Sequence, residues 1–128
     1  MPYNPKQGDI ILLEFDPQAG HEQKGKRPAL VISNNTYNNF LNIALVCPIT
    51  RTDREFPLHV KLNEELNTKG FVMCEQIKAL DIKARNAVFF ERVSKEIIDE
   101  VVDIVIGFIE WNIIINSWLL QPKGLLFK

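Results

Sequence analysis

Between residues 10 and 90 the apolar positions fall in short runs, broken every few residues by proline, glycine, asparagine or charge. Ile10, Ile11, Leu12 and Leu13, followed by Glu14 and Phe15, read as a strand buried on both faces, and Asp16-Pro17 ends it because proline brings no donor to a ladder. Residues 27–33 form a second apolar strand after a polar loop, and residues 34–39, rich in asparagine, form a turn or one short helical turn. A third strand covers residues 42–47 and is expected to stop at Pro48. Leu58, Val60 and Leu62 then alternate with His59 and Lys61, the period of a half-exposed strand whose outer face carries the histidine and the lysine. Gly70 opens a further run, 71–74, which continues through residues 75–81, and residues 88–90 complete the set. Strands this short and this closely punctuated predict a mainly β domain built as a small antiparallel barrel.

After Ser94 the period changes from two to three and four. Ile97, Val101, Ile104, Val105 and Phe108 share one face, while Asp99, Glu100 and Asp103 fall mostly elsewhere, so an amphipathic helix follows with Ser94 as its N-cap. The domain is therefore expected over residues 1–110. Residues 111–128 form a C-terminal extension, apolar from Trp111 to Leu120. A membrane span there would have to run back through Asp103 and Glu110, which the bilayer interior disfavours; further helix, a last strand or cover for a subunit surface fit better.

Composition changes this picture little. With 128 residues and 46% hydrophobic content, one domain can bury a core without disulfides or metal. Cys47 and Cys74 lie inside apolar runs and read as two reduced, buried thiols of a cytoplasmic protein, and the polar, proline-containing N-terminus is not that of a secreted chain. The net charge of −1 argues against indiscriminate coating of nucleic acid. Its distribution is uneven, however. Lys24, Lys26, Arg27, Arg51 and Arg54 face only Glu22 and Asp53 across residues 21–54, whereas Glu96, Asp99, Glu100, Asp103 and Glu110 face only Lys95 in the helix, which leaves room for a local anion-binding patch.

There is no metal motif, no P-loop and no dinucleotide fingerprint, and no cofactor is expected. What remains is a set of polar groups at strand ends. If the second and third strands pair antiparallel through their short connection, Arg27, which opens one, and Thr50, which closes the other, meet at one end of the barrel. An arginine, a hydroxyl and the loop carboxylate Glu22 suit cleavage of RNA: the 2′-hydroxyl needs a base, the crowded phosphorane a fixed cation, and the departing 5′ oxygen a proton. Guanidinium matches phosphate oxygens in bidentate fashion where lysine cannot. Without a family the same residues also fit a plain Glu22–Arg27 ion pair and a turn hydroxyl.

Gly8-Asp9-Ile10, Phe15-Asp16-Pro17 and Gly20-His21-Glu22-Gln23-Lys24-Gly25-Lys26-Arg27-Pro28-Ala29-Leu30-Val31 closely resemble the MazF/PemK family of toxin endoribonucleases. Tyr37-Asn38-Asn39, Cys47-Pro48-Ile49-Thr50 and Glu75-Gln76-Ile77-Lys78-Ala79-Leu80-Asp81 match in the same order. The resemblance implies an SH3-like antiparallel barrel with a C-terminal helix, working as a homodimer. It also implies metal-independent, sequence-specific cleavage of single-stranded RNA to a cyclic phosphate, and a cognate antitoxin as partner. By position, Arg27, Thr50 and Glu22 resemble the family's catalytic residues. His59, Gln76, Gln23 and Lys24 occupy positions that in relatives approach RNA, and His21, Lys26 and Arg51 are expected to bind it with them; Lys26 stands where some relatives carry histidine. A different class stays open as the alternative: a non-catalytic toxin of the same barrel, acting on a protein such as gyrase through its C-terminal segment.

Overall fold

Residue 48 is the plainest departure of the observed fold from the sequence pattern. In the computed structural model, which describes residues 3–15 and 25–110, the third strand runs on through Pro48. The elements in chain order are β1 (Asp9–Leu13), β2 (Arg27–Val31), α1 (Asn35–Leu41), β3 (Ile43–Thr50), β4 (His59–Lys61), β5 (Phe71–Met73), a 3₁₀ turn (Cys74–Gln76), β6 (Lys78–Asp81), β7 (Val88–Arg92) and α2 (Lys95–Ile109). All strand pairs are antiparallel, in the order β4-β5-β3-β2-β1-β7, with β6 beside β3.

Proline is tolerated in β3 because of the edge its nitrogen faces. Ile32 N–H donates to Leu45 O at 2.9 Å, so along β2 and β3 the bonded pairs alternate with non-bonded ones, and Ala29 opposite Pro48 falls on a non-bonded pair. Pro48 therefore turns its missing donor to the other edge of β3. There residues 43–46 pair with β6 and residues 49–50 with β5, and no ladder reaches position 48. The long strand expected over residues 71–81 is likewise two short ones. The 3₁₀ turn at Cys74–Gln76 separates them, which lets the chain leave one stretch of β3 and rejoin another.

Both faces of the central strands are buried, as a run apolar on both sides requires. Ile10, Leu30, Ile32, Cys47, Ile49, Val60 and Val72 pack with Ile97, Ile98, Val101, Ile104 and Val105 of α2. Ile11, Leu13, Ala29, Val31, Ala44, Val46, Leu80 and Ile82 form a second cluster. Each valine, leucine or isoleucine among them contributes about 1.5–3 kcal/mol by leaving water. The Ser94 hydroxyl accepts from Ile97 N–H at 3.3 Å, capping α2 where the sequence placed the cap. Phe108, expected on the buried stripe, is instead 44% exposed. The asparagine-rich connection is a full seven-residue helix, capped by Asn34 and ended by Asn42 in the left-handed region at φ 56°. Cys47 and Cys74 are free and buried, and burial pushes the Cys47 thiol up to about 12. No helix among the described residues is long and apolar enough to cross a membrane. The C-terminal extension lies outside the described residues.

The barrel expectation needs one correction: among the described residues no ladder joins β4 to β7, so the sheet is not closed by backbone. A side chain bridges the seam instead. Glu91 on β7 accepts from Asn67 N–H at 3.1 Å and from the Thr68 N–H and hydroxyl at 2.6 Å each, in the connection between β4 and β5. Burial pulls the Glu91 carboxyl up, but these donors and Lys69 outweigh it and hold it below its ordinary value. A second tight contact positions β3. Gly70, at φ 123°, lies so close to the end of that strand that a Cβ there would sit 2.1 Å from Thr50 O.

Two outcomes are expected. Gly70→Ala must both strain the backbone and displace Thr50, so thermal or urea unfolding should show a loss of about 2–4 kcal/mol. Because the folded-state pKa of Glu91 is depressed, its contribution is present above the ordinary carboxylate value and is lost as pH falls through the folded value. Urea unfolding of Glu91→Gln against wild type should therefore differ at pH 7, and the difference should shrink as pH falls below the ordinary carboxylate value.

Candidate functional site

Arg27 opens β2 and Thr50 closes β3. The paired register of these strands, Val31 with Val46, Leu30 with Cys47 and Ala29 with Pro48, extends two residues further to set Arg27 opposite Thr50. Opposite residues in an antiparallel pair share a face, with Cβ atoms about 4.5–5.5 Å apart. The sheet thus brings together the two residues that the sequence placed at one end. Arg27 is exposed and Thr50 half-buried, so both are reachable from solvent.

The local geometry of Thr50 fixes how its hydroxyl can act. Thr50 Oγ1 accepts from Thr52 N–H at 3.2 Å, in the turn that follows β3. With a lone pair engaged by the backbone, the hydroxyl hydrogen is left to donate outward. Gly70, against the Thr50 carbonyl, limits movement of the strand end from behind. Arg51 follows directly and is exposed, as is Lys26 beside Arg27, so cations flank the pair on both strands.

His59 departs from its expected setting. It lies on the outer face of β4 as the alternation predicts, yet its side chain is only 3% exposed. Phe56 packs edge-on against the ring at 5.1 Å, and Nε2 pairs with the Glu75 carboxylate at 3.0 Å. Nδ1 is buried and has no hydrogen-bond partner among the described residues. Gln76, exposed on the 3₁₀ turn, donates from Nε2 to Glu75 at 3.5 Å, so His59, Glu75 and Gln76 form one chain of polar contacts. Glu75 stands among the polar groups at strand ends and in the matched stretch 75–81, but the sequence assigns it no role at the site. Its signal was adjacency to Gln76, and its role in holding the histidine arises only from the turn that interrupts the strand.

His21, Glu22, Gln23 and Lys24 lie outside the described residues. The root of their loop is defined: Arg85 donates through Nη1 to Glu14 O at 3.2 Å and also to Phe15 O, and the Lys78 ammonium lies 5.9 Å from the Phe15 ring centre. Among the described residues no group of three metal-ligating side chains is clustered. The arrangement offers a guanidinium and a hydroxyl across a strand pair, with a further cation next to each in sequence, the equipment for gripping a phosphodiester.

Comparison with known proteins is informative. The chain is 38% identical over 85 residues to the endoribonuclease toxin MazF of Escherichia coli strain K12, covering 66% of this chain and 76% of the relative. It is 38% identical over 103 residues to the endoribonuclease toxin ChpB of the same strain, covering 74% and 85%. The crystal structure of MazF from Deinococcus radiodurans superposes with a TM-score of 0.75 at 33% identity, over 84% of this chain and 98% of that one. A MazE–MazF complex from the same organism superposes with a TM-score of 0.76 at 31% identity, over 84% and 97%. Residues 6–108, which include Arg27, Thr50, His59 and Gln76, match the family profile itself, and the chain belongs to the PemK-like, MazF-like toxins of type II toxin–antitoxin systems.

Proposed function

We propose that this endoribonuclease of the MazF/PemK type cuts single-stranded RNA, mRNA included, at short defined sequences without a metal ion. Attack by the 2′-hydroxyl leaves a 2′,3′-cyclic phosphate on one fragment and a 5′-hydroxyl on the other. The observation that carries this reading is Arg27 set across from Thr50 at the open end of β2 and β3. RNA supplies its own nucleophile, so the protein need only take a proton from O2′, stabilise the charge that gathers on phosphorus, and let O5′ leave protonated. Glu22 is assigned as the base. Arg27 binds the non-bridging oxygens as they become more negative, and the outward-donating Thr50 hydroxyl orients the same phosphate. As the O2′–P bond forms the P–O5′ bond breaks, and the proton removed from O2′ is balanced by one delivered to O5′ from solvent.

His21, Gln23, Lys24, Lys26, Arg51, His59 and Gln76 are assigned to holding the RNA around that phosphate. The protein acts in the cytoplasm as a homodimer. A cognate antitoxin, comparable with MazE in the Deinococcus complex, blocks the RNA-binding face. The gyrase-type alternative relied on residues 111–120, which lie outside the described residues, and no feature of the fold favours it.

Incubating the purified protein with a long mRNA in the presence of chelator should yield discrete fragments, and sequencing their ends should reveal one short motif with cyclic-phosphate and 5′-hydroxyl termini. Arg27→Ala should lower the cleavage rate on the order of 10³-fold with an unchanged melting temperature. Intact RNA with wild type, or full activity of the variant, would overturn the assignment.

A further inference from the structure

The candidate site sits at one end of a longer row. Lys61 on β4 stands opposite Phe71 on β5, Phe71 stands opposite Thr50 on β3, and the extended register sets Arg27 beyond Thr50. Val60, Val72 and Ile49, one residue away on each strand, are buried in the core, so the row occupies the opposite face. By ordinary strand spacing it spans about 14 Å from Lys61 to Arg27. Lys61 is exposed and makes no hydrogen bond or ion pair among the described residues. Phe71 is half-exposed and belongs to neither hydrophobic cluster. Val60 and Val72 fill the core from the other face, and on the row's own face the buried pair is His59 with Met73, so packing demands neither an aromatic ring nor a cation at positions 61 and 71.

We infer that Phe71 and Lys61 form a nucleotide subsite adjoining Arg27 and Thr50: the Phe71 ring carries the base of a nucleotide neighbouring the cleaved bond, and the Lys61 ammonium meets its phosphate. The inference rests on the proposed RNA-cleaving reading. A strand whose scissile phosphate lies between Arg27 and Thr50 can reach Lys61 only by laying a neighbouring nucleotide across Phe71. Aromatic rings accept any base by stacking, and a lysine is a point charge for phosphate, so the subsite adds affinity and sets the path of the strand without selecting its sequence. Charge decides the occupant: the row is cationic at both ends, and an extended polyanion with stacking faces satisfies every member of it.

The test uses the full chain and a fluorescein-labelled oligoribonucleotide spanning the mapped cleavage motif, 2′-deoxy at the cleaved nucleotide so that it binds without being cut. Phe71→Ala should weaken binding about 5- to 100-fold. Lys61→Gln should weaken it and lower the slope of log K against log salt by about 0.7. Phe71→Trp, which retains the ring, should bind like wild type and lose tryptophan fluorescence on RNA addition relative to the wild-type background. If wild type cleaves RNA while all three variants bind it unchanged, the subsite is wrong and the catalytic reading survives. If wild type neither binds nor cleaves RNA, both fall. Unchanged RNA affinity with weakened binding of an acidic peptide would assign the pair to a protein partner and overturn the subsite.

Discussion

Strand β3 must serve two partners on one edge, and the site depends on that constraint. Its first half pairs with β6 and its last two residues with β5, while its other edge stays bonded to β2. The handover between residues 46 and 49 leaves a gap that a proline can occupy without breaking a bond. It also carries the end of β3 beyond β6, where Thr50 stands between β2 and β5 with Arg27 on one side and Phe71 on the other. A β3 that stopped at residue 47, as the sequence suggests, would leave the hydroxyl in a loop with no fixed relation to the guanidinium.

The same handover accounts for the polar chain beside the site. To leave β5 and rejoin β3 as β6, the backbone turns once as a 3₁₀ helix, and that turn presents Glu75 toward His59 and leaves Gln76 exposed. Two thiols, Cys47 and Cys74, fill the core beneath it. Both are uncharged there, since burial and the nearby Glu75 carboxylate disfavour the thiolate, so the region behind the site is apolar although its outer surface is charged.

Much of this was legible in the residues, for identifiable reasons. The strands, the cap at Ser94 and the inward face of α2 follow from period and side-chain chemistry, which act locally. The meeting of Arg27 with Thr50 followed from a short connection that permits only one simple pairing. What could not be read depended on partners distant in sequence. Proline at 48 looks like a stop unless the edge it faces is known. His59 looks like a surface residue from alternation, and becomes buried because Phe56 and Glu75 close over it. Glu91 carries no local sign that it will join the two ends of a sheet, since its donors come from a connection more than twenty residues earlier.

The outermost pairing of the sheet has a bearing on how the chain comes to be folded. Arg92 on β7 lies against Asp9 on β1 across 83 positions of sequence, and α2, which covers the larger cluster, follows directly after β7. A chain emerging from the ribosome must therefore carry Ile10, Leu30 and Val72 without their cover until residues 97–105 are available. Non-local pairing of this kind slows folding, and the exposed interval lasts until residues 97–105 are available. For an endoribonuclease, this delay has a protective side: a nascent chain that has not yet reached residues 97–105 lacks the helix that covers the sheet.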